Sequence, residues 1–321
     1  MNKENLKKYY ALVVISLSIL WGWIALIYGF IIWFGLYILN LLLRKLPIDA
    51  VDFDGPYTYT YKKIENRELK LDIYFPKSKK QKLPVVFFAH GGGWVSGFRN
   101  QKNNVSWCKF LASKGFAVVS IDYRLGVSHT MSEILSDYTD ALNYIKENYY
   151  RLKLDKNNII LMGLSAGGHL TLLYYAYNTF VKNEKHTEGI KGVVSYYTPA
   201  NLKHLFDKNV KSVFAKVATA TALKGFPTPT KEGEYLYYSP IFWINKNMKP
   251  VLLVHGKKDK TVPFSSSVEL FKKLKEKGVQ TKILVHKSGD HAFEFENNDI
   301  QTIRILNETV KFIRSLVNDE G

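Results

Sequence analysis

Beyond residue 57 the chain alternates short apolar runs with amphipathic stretches. In ELKLDIYF (68–75), strict alternation sets Leu69, Leu71, Ile73 and Phe75 on one side, the pattern of a half-buried strand. YTYTYKKI (57–64) precedes it with no helical pattern between, so the two predict an antiparallel pair. The runs VVFFAH (85–90), FAVVSIDY (116–123), NIILMGL (158–164), IKGVVSYY (190–197), PVLLVHG (250–256) and QTKILVH (280–286) are nearly continuous in apolar residues, as strands buried on both faces are. Helical patterns near 101–114, 132–149, 265–277 and 299–317, and one opening at Ser165, fall between them. Eight strands alternating with helices predict an α/β fold, a mostly parallel sheet covered on both faces. Residues 201–245 break the rhythm and read as an insertion of short helices. No internal repeat interrupts the pattern, and residues 51–321 read as one domain.

The N-terminal part follows another rule. Residues 9–43 contain no charged side chain, and a helical membrane span needs only about 20 apolar residues. The run exceeds the apolar core of a secretory signal, about 7–15 residues, and no small-residue cleavage site follows. Residues 1–50 are therefore expected to form a membrane segment and linker, stopped at Pro47, giving a single-pass membrane protein anchored in the bacterial manner. Trp21, Trp23, Trp33 and Tyr37 would mark interfacial levels. A helical hairpin turning near Gly22 or Gly29 is the alternative. Lys3, Lys7 and Lys8 before the run nearly balance Arg44 and Lys45 after it, so orientation is not fixed.

Composition adds bounds. A hydrophobic content of 46% over 321 residues suffices for a packed core, and the lone Cys108 excludes an internal disulfide. The net charge of +17 invites a nucleic-acid partner. The lysines, however, are spread along the chain, with small clusters at Lys77, Lys79, Lys80 and Lys82 and at Lys272, Lys273, Lys275 and Lys277. Without a zinc-finger spacing or an aromatic RNA-binding signature they read as solvated faces, with attraction to an anionic membrane surface as the weaker reading. No nucleic-acid partner is expected.

The chemistry begins where strand 158–164 runs into Gly163-Leu164-Ser165-Ala166-Gly167-Gly168. G-x-S-x-G between a strand and a helix is a sharp turn that exposes the central serine, while the flanking glycines let strand and helix approach. The dipole of the helix favours negative charge developing there. Ser165 then needs a base among eight histidines, His90, His129, His169, His186, His204, His255, His286 and His291. On sheets carrying such a serine the chain order is Ser, then Asp or Glu, then His, each on a loop after a strand. His90 and His129 come too early. His169 lies one turn into the nucleophile helix, His255 within a strand end, and His286 at the end of the last strand. His291, in the loop beyond that strand, is the geometric choice. Asp259, in HGKKDKTVP (255–263), meets the requirement for the acid. Asp290 adjoins His291 too closely to reach its ring, and Asp207 falls in the insertion.

With these residues assembled, the chain resembles the α/β-hydrolase superfamily, and within it the hormone-sensitive-lipase-like carboxylesterases and the acetyl and feruloyl esterases of bacteria. The resemblance rests on HGGGW (90–94), DYRL (122–125), GLSAGGHL (163–170), YYTPANL (196–202), YSPIFWI (238–244), HGKKDKTVP (255–263) and SGDHAFE (288–294), in order along the chain from about residue 68 to 295. It implies an α/β-hydrolase fold with a short cap at 201–245, and places nucleophile, acid and base at Ser165, Asp259 and His291. The HGGGW loop follows the strand beside the nucleophile strand, where this fold carries its oxyanion donors. The expected donors are the N–H groups of Gly92, Gly93 and Ala166, with Gly91 as a further member. Trp94 is expected to wall the substrate site. Asn201 stands where the family often has Asp, and Gly126-Val127-Ser128 replaces a proline-containing continuation. Both departures leave the triad intact and weaken any transfer of specificity.

The function so implied is a serine carboxylic-ester hydrolase working on a small-molecule ester without cofactor or metal. Phe206, Phe214, Phe226 and Tyr235 of the cap suggest a pocket for short, acetyl-type acyl groups. An amidase or formamidase would use the same triad, and a catalytically silent, membrane-tethered binding protein would keep only the scaffold. Nucleotide binding would require G-x-G-x-x-G or a P-loop lysine, and Ser96 stands where the last glycine should be. Natural substrate and oligomeric state leave no mark on the sequence.

Overall fold

The computed structural model describes residues 44–65, 67–78 and 82–317, with isolated positions between 12 and 28. The chain divides into two compact units, Met1–Arg44 and Lys45–Gly321. The expected N-terminal transmembrane helix is corrected here, and with it the membrane localisation and the membrane as partner. Among the described residues no helix is long and apolar enough to cross a membrane. Most of 9–43, including Trp23, Gly29, Trp33 and Tyr37, lies outside the described residues, as do Lys79 and Lys80.

The second unit is built on eight strands: β1 (Phe53–Ile64), β2 (Arg67–Pro76), β3 (Leu83–Ala89), β4 (Ala117–Ile121), β5 (Leu154–Leu164), β6 (Ile190–Tyr196), β7 (Val251–Gly256) and β8 (Thr281–His286). They form one sheet in the order β1-β2-β4-β3-β5-β6-β7-β8. β2 runs antiparallel to both β1 and β4, and every pair from β4 through β8 is parallel. The sequence pattern places each strand to within four residues at either end. β1 begins earlier than the pattern suggested because Phe53 and Asp54 pair with Pro76 and Phe75 across an irregularity at Gly55 and Pro56, residues that carry no alternation.

Helices α1 (Lys102–Ser113), α2 (Met131–Glu147), α3 (Ala166–Phe180), α4 (Val213–Ala222), α5 (Ser265–Glu276) and α6 (Ile300–Val317) surround the sheet. Residues of β3 alternate between two cores. Val85, Phe87 and Ala89 face a layer with Tyr138 and Leu142 of α2, Leu170 of α3 and Leu270 of α5. Val86 and Phe88 face Trp107 and Phe110 of α1 and Leu306 and Ile313 of α6. Burial on both sides explains why β3 reads as continuous apolar sequence. α2 begins with a reciprocal cap: the Thr130 hydroxyl accepts from Glu133 N–H, and the Glu133 carboxylate accepts from Thr130 N–H. Such caps contribute about 1 kcal/mol.

Between β6 and β7 the chain leaves the sheet and runs through α4, the short helix Glu232–Tyr237 and three 3-10 turns, Leu202–Phe206, Pro229–Lys231 and Pro240–Trp243. This is the insertion seen in the sequence. The parallel strands all point one way, so the loops after β3, β5, β7 and β8 gather at their carboxyl ends, where open α/β sheets place their sites.

Candidate active site

β5 enters α3 through a turn whose geometry explains its glycines. Ser165 holds φ 51° and ψ −113°, a conformation costly for a side-chain-bearing residue. It is kept there by Ser165 N–H donating to the Tyr196 carbonyl at 2.9 Å and His169 N–H donating to the Ser165 carbonyl at 2.9 Å. A Cβ on Gly167 would run into the carbonyl oxygens of Ala89 and His90 at the end of β3, and one on Gly163 into the Gly167 backbone. Any side chain at either position would push α3 off the sheet.

The loop after β8 brings His291 to this serine. His291 Nε2 lies 3.0 Å from Ser165 Oγ, and Nδ1 lies 2.7 Å from Asp259 Oδ2 in the loop after β7. Because Nδ1 faces a carboxylate, it carries the proton, and the Nε2 lone pair is left to accept from the Ser165 hydroxyl. Asp259 is itself fixed: Oδ1 accepts from Thr261 N–H and Val262 N–H, each at 2.8 Å. Burial opposes its charge, but the contacts with His291 and His255 outweigh burial and hold the carboxyl well below the ordinary aspartate range. Asp290 serves elsewhere. Its Oδ1 accepts from Lys260 N–H at 2.9 Å and its Oδ2 pairs with Lys260 Nζ at 3.1 Å, tying the histidine loop to the aspartate loop.

The glycine loop lies against the other side of the serine. A Cβ on Gly91 would sit 3.6 Å from Ser165 Cβ. Gly92, at φ +118°, turns so that its carbonyl accepts from Val95 N–H at 3.2 Å and from Ser96 N–H and Oγ at 3.0 Å. Among the described residues the N–H groups of Gly92, Gly93 and Ala166 donate no hydrogen bond. His90, set aside as a base, braces this loop. Its ring stacks on Tyr123 at 4.1 Å, Nδ1 contacts the Gly91 carbonyl at 2.7 Å, and the Tyr123 hydroxyl donates to the His90 carbonyl at 2.8 Å. Burial pushes the His90 imidazole pKa down, so the ring stays neutral.

Trp94 is buried and meets the ring of His169 edge-on at 4.9 Å, so its indole packs between the glycine loop and α3. α4 covers the loop from above: a Cβ on Gly93 would meet Ala218 Cβ at 2.9 Å and the Phe214 ring at 3.0 Å. The other cap aromatics pack on one another. The Phe206 ring lies 6.0 Å from that of Phe226 and 5.7 Å from that of Tyr235; Tyr235 is fully buried, Phe206 half-buried and Phe226 exposed.

Sequence reasoning missed the surroundings of the candidate triad, His255 and the Tyr197–Glu294 pair. His255 Nε2 lies 3.1 Å from Asp259 Oδ2. Behind His291, the Tyr197 ring packs at 4.5 Å and its hydroxyl donates to buried Glu294 at 2.6 Å. The four-residue spacing of His255 and Asp259 in HGKKD was the only available signal for the first.

A nucleophile turn fed by a parallel strand, with candidate acid and base on loops after two later strands in that order, is the architecture of the α/β-hydrolases, and this chain is one of them. Within that class the chain belongs to the BD-FAE family, whose family model matches residues 71–274. It is 28% identical over 241 residues to a probable isoprenylcysteine alpha-carbonyl methylesterase ICME of Oryza sativa subsp. japonica, covering 70% of this chain and 56% of that protein. It is 24% identical over 214 residues to Esterase LipC of Mycobacterium tuberculosis, covering 64% of this chain and 52% of LipC. The chain thus spans about half the length of these two curated relatives. Among solved structures, a truncated carbohydrate esterase from gut microbiota superposes with a TM-score of 0.68 at 20% identity, covering 86% of this chain and all of that one. The butyrate-bound esterase Est2 of Thermogutta terrifontis superposes with a TM-score of 0.66 at 24% identity, covering 83% and 97%. At these identities the likeness is one of fold.

Proposed function

We propose that this protein hydrolyses carboxylic esters of short acyl chains through Ser165, His291 and Asp259. The observation that carries the reading is the unbroken line from Ser165 Oγ to His291 Nε2 at 3.0 Å and from His291 Nδ1 to Asp259 Oδ2 at 2.7 Å. Ser165 Oγ attacks the ester carbonyl as its proton passes to His291 Nε2, and Asp259 stabilises the imidazolium without taking the proton. The imidazolium then protonates the departing alcohol, and water, deprotonated by the same nitrogen, cleaves the acyl-enzyme to the free acid. The N–H groups of Gly92, Gly93 and Ala166 would hold the tetrahedral oxygen, with Gly91 keeping the loop flush against the serine and Trp94 supporting it from beneath. Preorganised donors of this kind are worth most where water is excluded.

Ester chemistry is supported by the relatives, named as esterases across plants and bacteria. A short acyl group is supported by the close cover of Phe214 and Ala218 over Gly93, and by the propionate and butyrate bound to Est2. The test is labelling by a serine-reactive fluorophosphonate, comparing the natural chain with Ser165→Ala, followed by turnover of p-nitrophenyl esters from acetate to decanoate. Labelling only of the natural chain, with turnover falling as the acyl chain lengthens, is the expected result. Equal labelling of both would end the nucleophile assignment, and preference for decanoate would end the short-chain reading.

A further inference from the structure

The Asp259 carboxylate is shared between two histidines. Oδ2, which receives His291 Nδ1–H at 2.7 Å, also lies 3.1 Å from Nε2 of His255, a side chain with no solvent exposure. The protonation of His255 follows from its neighbours. Nε2 faces two acceptors, Asp259 Oδ2 and the Val262 carbonyl at 3.0 Å, so it must carry hydrogen. With hydrogen on Nε2, Nδ1 is left to accept a hydrogen bond from the hydroxyl of buried Ser267 at 2.7 Å. The ring of Phe264 closes the remaining side edge-on at 5.7 Å. A continuous line therefore runs Ser267, His255, Asp259, His291, Ser165, with each donor direction fixed by the next acceptor.

We propose that His255 is a positioning residue for the candidate acid: its Nε2–H, with the N–H groups of Thr261 and Val262, orients the Asp259 carboxylate so that Oδ2 is aimed at His291 Nδ1. This rests on the esterase reading above and adds a residue that touches neither substrate nor the reacting atoms. The two N–H donors both bind Oδ1, and by themselves leave the carboxylate free to rock about that atom. His255 Nε2–H, shared between the Val262 carbonyl at 3.0 Å and this far oxygen at 3.1 Å, is the one nitrogen besides His291 Nδ1 against Oδ2 among the described residues, and so limits that freedom. Ser267 in turn keeps His255 in the tautomer that donates toward the acid. Orientation of this kind acts on the chemical step, where a displacement of about 1 Å costs roughly 100-fold in rate.

The experiment compares His255→Leu, His255→Gln and Ser267→Ala with the natural chain, reading kcat and KM on p-nitrophenyl acetate and the rate of fluorophosphonate labelling. Gln can return an N–H donor to the place of Nε2, whereas Leu returns only volume. His255→Leu is expected to lower kcat and labelling rate by about 10- to 100-fold with KM unchanged, and His255→Gln to recover to within about fivefold of the natural rate. Ser267→Ala removes one buried hydroxyl and carries the test should His255→Leu not fold. It is expected to lower kcat several-fold with KM unchanged. A folded His255→Leu with natural kcat, or Leu and Gln variants equally impaired, would overturn the positioning role while leaving the esterase reading in place. Natural kcat in folded Ser267→Ala would overturn it as well. A natural chain that neither labels nor turns over ester would overturn the esterase reading and this inference with it.

Discussion

The hydroxyl of Tyr197 donates to the Glu294 carboxyl at 2.6 Å in the fully buried layer behind His291. A second donor, Trp107 Nε1, approaches the same oxygen at 3.4 Å, and the Tyr197 ring rests on the His291 ring. The phenol and the carboxyl belong to the wall behind His291, the candidate base. Burial is the principal influence on Glu294 and pushes its pKa up to about 7, above the pull of Tyr197, Trp107 and His291 in the other direction.

That shift makes stability depend on pH with a definite sign. An unfolded glutamate loses its proton near pH 4.3, so between about pH 4 and 7 the native chain binds a proton that the unfolded chain has released. The stabilising share of Glu294 is therefore complete below about pH 4, falls as pH rises to about 7, and stays low above it. The difference amounts to roughly 4 kcal/mol. Glu294→Gln keeps an acceptor for Tyr197 and has no proton to lose. Denaturant titrations at pH 5 and pH 8 are expected to show the natural chain losing stability relative to the Gln variant across that interval. Equal losses would mean that Glu294 does not titrate there.

Gly92 tests the glycine loop. At φ +118° its Cβ would collide with the Ser96 carbonyl, and the turn closed by Ser96 N–H would open. Gly92→Ala is expected to lower kcat by about 10²–10³-fold, the loss of one oxyanion donor. The loop is bound to the sheet through His90 and Tyr123, so circular dichroism should remain that of the folded chain. Turnover near the natural value would show that the loop supplies no donor.

The DYRL stretch makes a stability prediction distinct from catalysis. Arg124 grips Asp137 of α2 through Nε at 2.7 Å and Nη2 at 2.9 Å, and its backbone N–H also donates to that carboxylate at 3.0 Å. Lys62 Nζ adds a contact at 2.7 Å, and the Asp137 side chain is fully buried. Removing Asp137 takes away a fully buried carboxylate but leaves the guanidinium with Glu133, through Nη1 at 2.8 Å, so the expected cost is about 3 kcal/mol, the low end for a broken buried pair. Asp137→Ala should lower the denaturant midpoint accordingly. A midpoint close to the natural one would show that water replaces the carboxylate at little cost.

How far the sequence spoke for the fold depended on whether a physical requirement was local. Gly163 and Gly167 were legible because the close approach of β3, β5 and α3 excludes any other residue there. The strands were legible because burial on both faces leaves little choice but apolar side chains. Ser165, Asp259 and His291 were singled out by chain order along strand ends, and the structure brings their side chains within hydrogen-bonding reach. Glu294 was not legible, since its partners Tyr197 and Trp107 are 97 and 187 residues away and nothing near it in sequence records them. His255 does lie at the end of a strand, β7, and that placement leaves no record of the following turn, which carries Asp259 back to its ring. The cap aromatics carry no such local requirement: Tyr235 is buried, Phe206 half-buried and Phe226 exposed, and aromatic composition alone does not separate a pocket wall from packing. For residues 9–43 the length of an uncharged run predicts a span, an expectation that no helix among the described residues meets.

The sharpest separation of chemistry from folding comes from Asp259→Asn. The substitution keeps the shape of the side chain, and Oδ1 can still accept from Thr261 and Val262, so the loop after β7 should hold. At the other atom an NH2 group would face two N–H donors, from His291 and from His255, at distances of 2.7 and 3.1 Å. Relief requires His291 to place its proton on Nε2, and that nitrogen would then point a hydrogen at Ser165 instead of a lone pair. The nucleophile would lose its base without losing its position. The expected result is a fall in kcat of about 10⁴-fold, with labelling slowed in parallel and a thermal midpoint near that of the natural chain. A variant that keeps most of its turnover would remove Asp259 from the triad, and a variant that fails to fold would show that the carboxylate's first task is to hold its own loop.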